Sequence, residues 1–185
     1  MPNYPIHTIA SAPEGSKSAL EELKQAFGVV PNIAGTIANS PKLINSLVGL
    51  FQQVHSHGLT EAENQIVLLT DAVANSSSYA VAFHTALALQ QGVSPEETDA
   101  IRERRAPADR RFAALSTLAK TLIEKRGHLS EKELDSFVAA GFTKEQVLEV
   151  IAIVAASTVS HWLRQQIRLP SMFPRYRRRH ICRPG

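Results

Sequence analysis

A chain of 185 residues, 44% of them hydrophobic, can bury a sizeable core and is most simply one domain. Aromatics make up only 6%, which with abundant Ala and Leu favours close helix packing over a β-sandwich, and the lone Cys182 excludes an intramolecular disulfide or any Cys-x-x-Cys site. The net charge of +3 is unevenly placed: residues 163–185 hold seven arginines and no acid, so residues 1–162 carry a charge of −4.

The opening MPNYPIHTIASAPEG has no basic region followed by an apolar core, and no run approaches a membrane span, so a cytoplasmic protein without a membrane segment is expected. Ser16 or Ser18 can cap a helix through SALEELKQAF that ends at Gly28, and PNIAGTIAN makes a short second one. Ser40 before Pro41 starts a third, which stops at Gly58. Thr60 with Glu63 spells a capping box ahead of IVLLTDAVA. The same signature returns as Ser94 with Glu97, Ser130 with Glu133 and Thr143 with Gln146. Between the second and third boxes, FAALSTLAKTLIEKRG reads as a long amphipathic helix with a stop at Gly127. No segment alternates with a two-residue period between hairpin turns. The chain reads as all-α, with seven or eight helices.

Taken alone, most polar residues have ordinary explanations. Ser76, Ser77 and Ser78 suit a helix start, as does Asn75. His84 lies in the apolar run AVAFHTALAL, where a lone histidine usually serves as a hydrogen-bonded core or interface group. His55 and His57 are two apart in a predicted helix and point to different sides, so they cannot chelate together, and no metal or cofactor is expected. Glu61, Glu63, Asp71 and Glu97 are explained by capping and solvent exposure, His161 and Trp162 by core or interface packing.

The stretch TEAENQIVLLTDAVANSSSYAVAFHTALALQQGVS adds a second layer. It resembles the central helix pair of the alkylhydroperoxidase D and carboxymuconolactone decarboxylase family, in which a Glu on one helix precedes Cys-x-x-Cys-x-x-x-His on the next. FGVVPNIAGTIANSPKLINSLVGLF and LSEKELDSFVAAGFTKEQVLEVIAIVAASTVSHW resemble the flanking helices of the larger, peroxidase-related members, so the likeness spans about residues 4–160. It implies a helical orthogonal bundle as domain 1–162, with its core motif helices at about 40–126, a basic tail at 163–185, and a trimer or hexamer. It also implies that His84 and Trp162 with His161 line one pocket. Registered on His84, the two cysteine positions fall on Ser77 and Ala80 and the glutamate position on Gln65.

Those replacements remove the chemistry while keeping the geometry. Peroxide reduction by a dithiol needs one thiolate to attack and a second to resolve the sulfenic acid. A serine hydroxyl does neither, and Ala80 has no reactive atom. Residues 77, 80 and 84 share a helix face, but Ser77 and His84 are roughly 10 Å apart along the axis, too far for a direct nucleophile pair. The family's lactone decarboxylases tend to carry a Glu at the position of Ala80, so neither branch is matched at its reactive residues.

Three functions follow as expectations. The first is a divergent family member without dithiol peroxidase activity, either degenerate or binding a small molecule beside His84. The second is a cysteine-independent enzyme using His84 as a base, with Ser77, Tyr79 or Gln65 orienting a small carboxylated or lactone substrate. The third is a polyanion binder acting through the arginine tail, with specific nucleic-acid recognition not expected. The tail itself fits either a genuine basic extension or a shifted reading frame near residue 163. Three prolines and five arginines in residues 170–185 oppose a stable helix there, so it is expected to be mobile or ordered only on an acidic surface.

Overall fold

In the computed structural model, which describes residues 4–56 and 58–166, the chain is all-α with no strand among the described residues. After a 3₁₀ turn at Glu14–Ser16 come nine α-helices: α1 (Lys17–Phe27), α2 (Asn32–Ile37), α3 (Pro41–Ser56), α4 (Glu61–Ala74), α5 (Ser78–Gln90), α6 (Pro95–Arg102), α7 (Arg110–Glu124), α8 (Glu131–Ala139) and α9 (Lys144–Gln166). Eight of these helices span at least eight residues, and the short second helix expected from PNIAGTIAN is α2, a six-residue piece. His57 and the tail from residue 167 lie outside the described residues, so the chelation and tail expectations that involve them stay open.

Most of the boundaries come from the local signals. Thr60 and Ser130 form full capping boxes with Glu63 and Glu133. Thr143 and Gln146 exchange the same two bonds, at 3.2 and 2.9 Å. Two expected caps differ. Ser94 accepts from Glu97 N, but the Glu97 carboxylate turns away to receive Ala108 N and Asp109 N, each at 2.9 Å, and thereby ties the loop before α7 to α6. Ser16 occupies the N-cap of α1 without a side-chain cap and donates instead to Ala38 O at 2.8 Å, joining the N-terminal segment to α2.

Helix α4 is the axis of the molecule. Every residue from 63 to 72 is buried, and α4 packs against α5, α6, α7 and α9. Its own chain thus surrounds α4. Ile66, Val67 and Leu69 join Leu115 and Leu118 of α7, Val150 and Ile153 of α9 and the stacked pair Phe137 and Phe142 in the larger core cluster. A second cluster gathers α1, α2 and α3 around Leu20, Ile37 and Ile44, with Ala156 of α9 packed into it. Gly58, at φ 93°, lets the α3–α4 link pass beneath the Glu149 carboxylate, and its carbonyl receives Gln146 Nε2 at 2.8 Å. A side chain at 58 would collide with Glu149.

Most polar groups inside this core are paired, with Asn64 Oδ1 and Thr85 Oγ1 as exceptions. Glu63 meets Arg111 Nε at 2.8 Å, and Thr70 bonds Ser116 Oγ at 2.9 Å. Asp71, fully buried, takes His161 Nε2 and Ser157 Oγ on one oxygen, each at 2.6 Å, and Asn75 Nδ2 on the other at 3.0 Å. Glu63 caps α4 as expected, but it and Asp71 are buried core groups, not the solvent-exposed carboxylates that the sequence suggests. α9 runs past residue 162 to Gln166. By length and composition it could cross a membrane, contrary to expectation, but Val147, Val150 and Ile153 bury one face in the core. Trp162 is 66% exposed, so it is neither core nor pocket lining in the single chain.

Asp71→Ala should cost about 3–5 kcal/mol by leaving the buried His161 and Ser157 donors unmatched, and Ile66→Ala about 2–5 kcal/mol by opening a cavity. Urea unfolding followed by circular dichroism measures both. Losses under 1 kcal/mol at each site would show that α4 is not the buried axis.

Candidate functional site

The turn between α4 and α5 sets the site. Ser76 adopts φ 56°, Ser77 N donates to Ala72 O at 2.9 Å, and α5 then runs back along α4. Ser77 occupies the N-cap position without making a side-chain cap bond, and Asn75 and Ser76 do not supply one either. Asn75 binds Asp71, and Ser76 Oγ receives Arg104 Nη2 at 3.4 Å. Ser77 Oγ is buried with no partner.

Two turns along α5, His84 Nδ1 lies 3.0 Å from Gln65 Oε1. Gln65 Nε2 reaches Glu61 Oε1 at 2.6 Å, and Glu61 Oε2 lies 2.6 Å from His55 Nδ1. The proton positions in this line follow from one fact: a carboxylate only accepts. The Gln65 amide nitrogen must face Glu61, so its oxygen faces His84, and His84 Nδ1 must carry the hydrogen. His84 Nε2 is then the unprotonated nitrogen, with no bond among the described residues. The same rule makes His55 Nδ1 the donor to Glu61. Asn64 Nδ2, 3.3 Å from that nitrogen and 3.5 Å from Glu61 Oε2, takes the carboxylate as its acceptor.

Surroundings reinforce this state. The ring of Phe83 stands edge-on to His84 at 5.2 Å, and Phe27 meets Phe83 at 5.4 Å, giving the histidine an apolar wall. Burial, then the positive charges that His161 and His55 can carry, pull the His84 imidazole down to about 3, with Glu61 opposing weakly. His84 is therefore neutral at physiological pH, although part of its surface remains open. For Glu61 burial acts upward, but hydrogen bonds from His55 and Gln65 outweigh it and hold the carboxyl below its usual range.

Ser157, His161 and Asp71 invite comparison with a nucleophilic triad, and the geometry refuses it. A triad places carboxylate and hydroxyl on opposite ring nitrogens. Here both contact His161 Nε2, at 2.6 and 3.2 Å, and the Ser157 hydroxyl gives its hydrogen to Asp71. The group fixes α9 to α4 and holds His161 near enough to influence His84 electrostatically. One turn later Arg164 lies over the Tyr79 ring, 4.7 Å from its centre. Tyr79 is buried, with that guanidinium on its ring.

Of the residues picked out in the sequence, then, Gln65 and His84 are brought into contact, Ser77 stands apart at the helix start, and Ala80 lies between them along α5. Sequence reasoning missed Glu61, His55 and Arg164. The four-residue spacing of Glu61 and Gln65 on one helix was a visible signal for the first; nothing local announced the others. His55 is committed to Glu61, and among the described residues no three His, Cys, Asp or Glu side chains gather as metal ligands would.

The model of the Carboxymuconolactone decarboxylase family matches residues 41–120. No curated protein sequence matches significantly. Among solved structures, an uncharacterized peroxidase-related protein with an alkylhydroperoxidase AhpD core from Ralstonia eutropha JMP134 superposes with a TM-score of 0.77 at 22% identity, covering 88% of each chain. A peroxidase-related protein from Silicibacter sp. TM1040 gives 0.75 at 15% identity over 89% of this chain and 87% of its own. The debrominase Bmp8, solved in complex with 2,3,4-tribromopyrrole, gives 0.75 at 16% identity over 90% and 89%. At these identities the superpositions establish the fold.

The depressed basicity of His84 has a testable sign. Its ordinary value is 6.5 and its value in the fold about 3, so between these the unfolded chain takes up a proton that the folded chain refuses. The corresponding stability is complete above pH 6.5 and declines as pH falls toward 3. Ring ¹⁵N NMR should show His84 neutral at pH 5 with the hydrogen on Nδ1, and Gln65→Glu should raise its midpoint by about one to three pH units. Titration near 6.5 in the unsubstituted protein would refute the assignment.

Proposed function

We propose, for a chain that belongs to the carboxymuconolactone decarboxylase family and has the fold of its alkylhydroperoxidase D-like members, that it works without dithiol peroxidase chemistry and binds a small molecule beside His84. The observation that carries this is the composition of the site: a neutral imidazole tethered through an amide, and no sulfur at either cysteine position, which hold Ser77 and Ala80. Cys182, outside the described residues, is a single thiol and cannot supply an attacking and a resolving sulfur. Gln65 completes the change. A glutamate there can exchange a proton with its neighbours, whereas the amide only passes on the orientation that Glu61 imposes.

A second reading, His84 as a general base, rests on its open Nε2. Brønsted behaviour weighs against it in the free protein, because a conjugate acid near 3 drives proton abstraction poorly at neutral pH. As a hydrogen-bond acceptor for a neutral donor on a ligand, the same nitrogen is well suited. The third reading, polyanion binding, concerns the tail and gains no support from the described residues.

Peroxide or alkyl hydroperoxide consumption with a dithiol reductant should be absent, and a Gln65→Glu, Ser77→Cys, Ala80→Cys variant should acquire some. Steady turnover in the unsubstituted chain that persists in Cys182→Ser would end the proposal.

Assembly belongs to the same proposal. Leu148, 67% exposed, lies in register with Ile151, Ala155 and Trp162 along the outer face of α9, an apolar stripe too continuous for a solvated helix. A second copy covering this stripe yields the expected homo-oligomer. Leu148→Glu with Trp162→Glu should lower the molar mass measured by light scattering while leaving helicity unchanged; a protein that is monomeric before substitution would contradict this.

A further inference from the structure

Gln65 has no freedom to leave either end of its amide unmatched. It is 3% exposed, so water cannot stand in for a missing partner. Its Nε2 meets Glu61 Oε1 at 2.6 Å, and its Oε1 meets His84 Nδ1 at 3.0 Å. Glu61 is itself turned by donors on its other oxygen, where His55 Nδ1 stands at 2.6 Å and Asn64 Nδ2 at 3.5 Å. The carboxylate sits in the first turn of α4, where negative charge also favours the helix dipole. That role asks only for a charge. The short bond to Gln65 does more, because an acceptor at position 61 dictates which end of the amide faces His84.

The consequence falls on the far side of the imidazole. With its hydrogen held on Nδ1, the neutral ring shows only the lone pair of Nε2 to whatever approaches. Part of His84 is open, and the surface beside it is aromatic. Phe83 stands edge-on to the imidazole at 5.2 Å, and Phe27, 39% exposed, meets Phe83 at 5.4 Å. A carboxylate or a lactone carbonyl brings lone pairs against a lone pair and has no hydrogen to give. A hydroxyl or N–H group on an apolar ring satisfies the nitrogen and covers the aromatic wall together.

We infer, on the small-molecule reading proposed above, that the site selects a neutral, mainly apolar ligand bearing an O–H or N–H, and that Glu61 is the positioning residue that sets this preference. It acts through Gln65, one helical turn along α4. In Glu61→Gln, His55 and Asn64 keep the oxygen of residue 61 as their acceptor, so the new amide turns its NH₂ toward Gln65. Gln65 must then offer its oxygen to residue 61 and its NH₂ to His84, whose Nδ1 becomes the acceptor. The hydrogen moves to Nε2, and the site presents a donor where it presented a lone pair.

The test uses the full-length protein and matched probes that keep or lose one donor hydrogen: phenol against anisole, and indole against 1-methylindole, with benzoate as the anion. Ring ¹⁵N NMR reads the His84 tautomer, and calorimetry the affinity. Phenol and indole should perturb His84 Nε2 saturably and bind at least about tenfold tighter than their methylated partners, with benzoate leaving His84 untouched. The tighter of the two tells a hydroxyl ligand from an N–H ligand. In Glu61→Gln the Nε2-protonated tautomer should appear and the preference should fall below about threefold. Glu103→Gln, which removes a surface carboxylate paired with Arg105, should change neither. Should Glu61→Gln not fold, His84→Phe keeps an apolar ring without the acceptor and should abolish the preference. Equal binding of phenol and anisole at His84, or displacement of phenol there by benzoate, overturns this inference and leaves the small-molecule reading standing. A Glu61→Gln protein that keeps both the Nδ1 hydrogen and the full preference overturns the role given to Glu61. Failure of all five probes to reach His84 overturns the inference too, and takes the small-molecule reading with it.

Discussion

A helix enclosed on every side cannot leave a polar side chain without a partner, and α4 is such a helix. Five of the ten residues from 63 to 72 are apolar; Glu63, Asn64, Thr70 and Asp71 point into the body, and Gln65 points toward α5. Burying these groups unmatched would cost more than the apolar contacts around them return. Four of the five therefore take a neighbour on another helix: Glu63 takes Arg111, Thr70 takes Ser116, Asp71 takes His161 and Ser157, Gln65 takes His84, while Asn64 turns its Nδ2 to Glu61 on its own helix. Apolar packing brings α5, α7 and α9 to α4. The polar pairs set which face and which level of each helix arrives.

The site inherits its character from that arrangement. His84 and His161 both depend on α4, yet one is held by an amide and the other by a carboxylate. An amide oxygen orients an imidazole without adding negative charge, and the apolar wall of Phe83 and Phe27 adds none either. The result is a fixed tautomer that stays neutral, suited to recognising a donor.

α9 serves three purposes along one length. Its N-terminal half fills the larger core, Ser157 and His161 lock it to Asp71, and Leu148, Ile151 and Trp162 face outward. Because it also contributes Ala156 to the smaller cluster, it couples the N-terminal helices to the body that carries the site.

Features set by residues three or four apart could be read from the sequence alone. The boxes at Thr60, Ser130 and Thr143 and the all-α class belong here, since a capping bond forms between neighbours whatever the rest of the chain does; the alignment of Gln65 with His84 came instead from the family resemblance. Where a local signal failed, a distant partner had outcompeted it: Glu97 left Ser94 for the N–H groups of Ala108 and Asp109, and Ser16 left its own helix for Ala38. Asp71 with His161, Glu63 with Arg111 and Arg164 over Tyr79 could be decided only in the tertiary structure. Their members are far apart in the chain, and whether a carboxylate is a surface group or a buried anchor depends on which helix packs over it, a quantity that no local spacing encodes.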